Sequence, residues 1–145
     1  MATIDAAAPA RAGDRTRLRA LLALGDTVSF LAFAAIGRSS HNEAALSALG
    51  AVAGTAAPFL LGWFAVAIPA GAFREPEGGV RRLVPRTALA WLGAWPLGLL
   101  VRALVLQRGI PPSFAIVVLL TNTVLLCGWR AAFAWWAARR SRPGS

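Results

Sequence analysis

SFAIVVLLTNTVLLCGWRAAFAWWAA, residues 113–138, is an apolar run of helical length carrying a single charge, Arg130. A helix needs about 20 apolar residues to cross about 30 Å of hydrocarbon, and this run exceeds that. The whole chain has 145 residues. One small domain has too little interior to hide several such runs from water. Lipid is the solvent this segment implies.

Working outward, three more runs of the same kind appear. Gly109, Pro111 and Pro112 break the helix before the fourth span. The third span is expected from about Thr87 to Leu106. Before it lies the longest connection, containing AFREPEGGVRRLVPR at 72–86. The second span covers about Ala44 to Ala70, with Ser40 and Glu43 spaced as a capping box at its start. Gly37 offers a stop to the first span, about Leu18 to Ile36. Residues 1–16 are expected to be a disordered basic tail, and residues 139–145 a second basic tail. Open backbone groups cannot be satisfied in lipid, so the spans must be helices. The expected fold is therefore all-α: a four-helix membrane bundle over 17–138, made of two transmembrane hairpins.

Composition agrees. The chain is 57% hydrophobic and 14% charged, against about 45–50% and about 25% in soluble domains. Its net charge of +9 does not point to nucleic acid, because the basic residues, all Arg, sit mainly at the ends of apolar runs. Counted by side, they orient the protein. Arg11, Arg15, Arg17 and Arg19, then Arg74, Arg81, Arg82 and Arg86, then Arg139, Arg140 and Arg142 fall on one side of a hairpin pair. Arg38, Arg102 and Arg108 fall at the other. Both termini are expected in the cytoplasm, with the protein in the inner membrane and anionic lipids as partners at that face.

Charges at membrane depth are costly and mark contacts or function. Asp26 lies eight residues into the first span, about 12 Å deep at 1.5 Å per residue. Arg130 lies at similar depth in the fourth. An Asp26–Arg130 ion pair tying first span to last is the expectation, with a proton relay or substrate counter-charge as the alternative role. Asn122, Trp63 and Trp95 complete a candidate buried polar cluster. Asn122 is expected to hydrogen-bond a neighbouring helix. Trp95 stands beside Pro96, which frees the Leu92 carbonyl. Arg38, His41 and Arg102 form a candidate polar group at the outer end. Gly50 and Gly54 make a small-xxx-small pair, suited to another span or to a second copy. LeuLeuGlyTrp at 60–63 is echoed by LeuLeuCysGlyTrp at 125–129. Cys127 reads as a small core residue.

GlyAsp at 25–26, GlyArgSerSerHis at 37–41, ProPheLeuLeuGlyTrp at 58–63, TrpProLeuGly at 95–98 with Arg102, and GlyTrpArg at 128–130 together resemble a prokaryotic membrane family, domain of unknown function 3054. The resemblance spans about residues 20–136. It implies a small multi-span membrane protein of bacteria or archaea and carries no activity, substrate or cofactor.

No phosphate loop, HExxH or CxxC occurs. Asp26 and His41 stand about 20 Å apart along one helix and turn, too far for a catalytic triad. An enzyme is not expected, nor a cofactor or metal. Two readings remain. One is a non-catalytic membrane component, a scaffold or complex subunit. The other is a small-solute or ion transporter acting as a homo-oligomer.

Overall fold

The computed structural model describes residues 8–38, 45–74 and 80–140. They form four helices: α1 (Ala8–Arg38), α2 (Ala45–Ala67), α3 (Val80–Leu106) and α4 (Pro112–Arg140). All four are long and apolar enough to cross a membrane. Each packs on its neighbours in chain order, and α4 closes the ring on α1. The all-α bundle expected from hydropathy is what the chain adopts, and the protein is a multi-pass membrane protein. Leu89, Val124, Leu49 and Leu24 stand well exposed around its outside, an arrangement suited to lipid and not to water.

Two boundaries differ from expectation. Residues 8–16 are helical instead of disordered, because their Ala and Arg residues favour helix and the run continues unbroken into the span. Pro9 falls in the first turn of α1, where its missing N–H is no loss. Likewise α3 begins at Val80, seven residues before the expected Thr87. Pro85 lies inside it and does not end it, since its ring removes one hydrogen bond near an exposed helix end. Ser40, Glu43 and His41 lie outside the described residues.

Hydroxyls within the spans are handled locally. Thr27, Ser29, Thr55, Thr87 and Thr123 each donate to the carbonyl four residues back, at 2.6–2.9 Å. Each polar group thus finds a partner without a neighbouring helix.

The α2–α3 crossing is the tightest. A Cβ built on Gly62 would stand 2.8 Å from the Gly98 nitrogen and 2.9 Å from the Ala94 oxygen. One on Gly98 would stand 2.6 Å from Phe59 Cδ1. These glycines let the two backbones approach as small residues do in membrane bundles. Gly50 and Gly54, by contrast, have nothing within 4 Å and are exposed, so this pair packs on nothing among the described residues. Beside the crossing, Phe30, Trp63 and Trp91 form an aromatic triangle, with ring centroids 5.4–6.4 Å apart. All three are fully buried.

Gly62→Val or Gly98→Val should push α2 from α3 and lower the thermal midpoint in detergent, by the equivalent of about 1–3 kcal/mol for overpacking. Gly50→Val should leave the midpoint of the monomer within about 0.5 kcal/mol of wild type.

Candidate functional site

Asp26 and Arg130 meet in the bundle interior, both with no exposed surface. The contact is bidentate. Arg130 Nε donates to Oδ1 at 2.9 Å and Nη2 donates to Oδ2 at 2.5 Å. Such fork-to-carboxylate pairs are among the strongest hydrogen bonds in proteins. Two indoles complete the carboxylate's set. Trp63 Nε1 donates to Oδ2 and Trp129 Nε1 to Oδ1, each at 2.9 Å. Each carboxylate oxygen therefore receives two N–H donors, which is its full acceptor capacity.

The far side of the guanidinium is also held. Nη1 donates to the Ala72 carbonyl at 2.7 Å and to Thr87 Oγ1 at 3.4 Å. Trp63 and Phe73 flank it as aromatic faces, 5.3 and 5.0 Å from its central carbon to the ring centroids. Every helix contributes: Asp26 from α1, Trp63 from α2, Thr87 from α3, and Trp129 with Arg130 from α4. Ala72 and Phe73 come from the turn after α2.

Local sequence explains how each group arrives there. Gly71 has φ +70°, a left-handed conformation that glycine adopts without strain. Ala72 N–H bonds the Ala67 carbonyl at 2.9 Å, and Gly71 N–H the Ile68 carbonyl at 3.0 Å. This paired cap ends the helical run and folds the chain back, which brings the Ala72 carbonyl to Arg130. At Gly25 a Cβ would collide with the Trp129 indole ring. Glycine before Asp26 is what lets that indole lie beside the carboxylate. The LeuLeuGlyTrp echo has a structural counterpart too, because its two tryptophans, Trp63 and Trp129, bind opposite oxygens of the same Asp26.

The remaining candidates are elsewhere. Trp95 Nε1 donates to the Ala115 carbonyl at 3.0 Å, pinning α3 to α4 and touching neither Asp26 nor Arg130. Trp91 does the same one turn away, to Leu119 at 3.1 Å. Asn122 is fully buried, but it donates to Val118 of its own helix at 3.0 Å instead of to a neighbour. Two turns of α4 separate it from Arg130. Its Oδ1 has no partner among the described residues. At the opposite end Arg102 lies over the Phe114 ring, 4.7 Å from the centroid. Arg38 is the last residue of α1, where a cation suits the helix dipole.

Trp129, Thr87 and the Ala72 carbonyl were not among the expected site groups. Trp129 was within reach of sequence reasoning, as the neighbour of a membrane-buried Arg. Thr87 stood at an assumed span boundary. A backbone carbonyl carries no residue-type signal at all.

The family model for the protein of unknown function DUF3054 matches residues 23–133, and the chain belongs to that family. The match takes in Asp26, Trp63, Thr87, Trp129 and Arg130. No curated protein and no solved structure matches the chain.

Removing one partner leaves a buried charge unpaired, at a cost of about 3–5 kcal/mol. Asp26→Asn and Arg130→Gln should each lower stability in detergent on that scale. The double variant should lose less than the sum, with a coupling of about 1–3 kcal/mol in a double-mutant cycle; strict additivity would deny the pairing. Separately, Gly25→Ala should displace the Trp129 ring. Its signature is a changed tryptophan emission spectrum, which should be absent when the same substitution is made in a Trp129→Phe background.

Proposed function

From this membership and this geometry, we propose that the protein is a non-catalytic membrane component, a scaffold or complex subunit whose buried Asp–Arg pair holds the bundle in shape. The observation that carries this reading is saturation. Both Asp26 oxygens are fully bonded, and neither Asp26 nor Arg130 has any surface that water could touch. A proton relay or a transport counter-charge needs a group that can exchange partners with something mobile, and this carboxylate has no vacant acceptor position.

The protein sits in the inner membrane with both termini cytoplasmic. The bias of Arg toward the termini and the α2–α3 connection supports this. So does the end of α4, where Trp135 and Trp136 are exposed and Arg139 lies 3.6 Å from the Trp135 centroid. Exposed tryptophans with basic neighbours suit a membrane interface. Anionic lipid is a partner at that face. A groove of about 520 Å³ lined by Arg81, Arg82 and Arg86 beside Val66 and Leu89 gives a headgroup cations above an apolar wall. The open Gly50–Gly54 face of α2 serves as the docking surface for a partner span.

Asp26→Asn separates the scaffold from a transporter. As a scaffold, the variant should fall in membrane abundance by several-fold, as a loss of 1–2 kcal/mol or more does in cells. Normal abundance with a lost ion or solute flux would overturn the reading in favour of transport. Reporter fusions at residues 1 and 145 should both report the cytoplasm.

A further inference from the structure

At the end of the bundle away from the termini, α3 stops at Leu106 and α4 starts at Pro112. Between them lies a cavity of about 360 Å³, lined by Arg102, Arg108, Gly109, Ile110 and Phe114. That is within the range of small-ligand sites. The turn that shapes it is strained: Gln107 has φ +52°, a left-handed conformation that costs a residue with a side chain. The strained turn places Arg108 on the cavity wall.

Arg102 is half-buried at the edge of its span. Phe114 covers one face of its guanidinium, which leaves the in-plane N–H donors directed elsewhere. Among the described residues nothing accepts a hydrogen bond from them. Arg108, on the same cavity wall, adds like charge beside Arg102. The one carboxylate among the described side chains, Asp26, is saturated by Arg130 and two indoles near the other end. Cations gathered round a partly desolvated cavity raise the local potential, which an anion relieves.

We propose that this cavity binds a phosphate group through the planar donors of Arg102 and Arg108, with Phe114 holding Arg102 in position. Arginine forks match phosphate oxygens in bidentate geometry. The positive end of α4 opens at the same mouth and adds to the field. The phosphate belongs either to a small soluble phosphate compound or to a phospholipid headgroup of the adjacent leaflet. The site stands independently of the scaffold reading, which concerns the opposite half of the bundle.

The test uses the full chain in a neutral detergent at constant ionic strength. Inorganic phosphate and dihexanoyl phosphatidylglycerol are each titrated by calorimetry. Wild type should bind, and Arg102→Gln and Arg108→Gln should each weaken binding about tenfold or more, as loss of a charge-assisted hydrogen bond does. Arg108 is exposed, so its variant keeps the test valid if Arg102→Gln fails to fold. Binding should persist when Arg81, Arg82 and Arg86 are changed to Gln. Saturation by inorganic phosphate identifies the soluble source, and binding of the short-chain lipid alone identifies the headgroup. The proposal is overturned if neither ligand binds or if the Arg102→Gln/Arg108→Gln double variant binds like wild type. It is also overturned if binding appears only after Glu43→Gln, which would mean that the chain supplies its own counter-ion.

Discussion

Inside hydrocarbon a lone carboxylate or guanidinium has nothing to solvate it, and this constraint organises the bundle around Asp26 and Arg130. Water is not there to solvate the carboxylate or the guanidinium, so each must be satisfied by the chain itself. The bidentate contact supplies half of the carboxylate's bonds. The other half must come from donors that carry no charge of their own, and indole N–H groups are suited to this. They bring a large apolar body to the core and one donor to the carboxylate.

That requirement propagates outward. Two indoles can reach one carboxylate only where the backbone gives them room, which is why Gly25 lies under Trp129. The guanidinium's outer edge needs acceptors, and one comes from a carbonyl released from helical bonding by the cap after α2. Thr87 offers the other while its own hydroxyl proton goes to Leu83. The result is a node that draws on all four helices and one turn. A bundle in lipid has little hydrophobic force between its helices. Such a node, with the close α2–α3 glycine crossing, supplies the specificity that water-driven collapse gives a soluble core.

The same logic marks the other end of the molecule as different in kind. There the cations gather without a carboxylate among the described side chains, and the cavity between α3 and α4 stays open. At one node Asp26 and Arg130 balance each other and are sealed from water. Among the described residues at the other end, Arg102 and Arg108 line an open cavity with no carboxylate beside them, an arrangement suited to an anion.

The four spans and their helical nature were legible in the sequence, because the length of an apolar run is a property of one dimension and lipid permits a lone segment nothing but a helix. The Asp26–Arg130 contact was legible for a related reason: with only two opposite charges deep in apolar runs, at matching depth, each had one plausible partner. Where helices begin was less readable, since Pro85 resembles a break until its place in the first turns of α3 is known. What Asn122, Trp95 and Trp129 touch was settled only by tertiary structure. Those contacts depend on how each helix is rotated about its axis and how closely it crosses its neighbours. The acceptor at Ala72 depends on a backbone turn, and neither rotation nor a freed carbonyl is written in residue type.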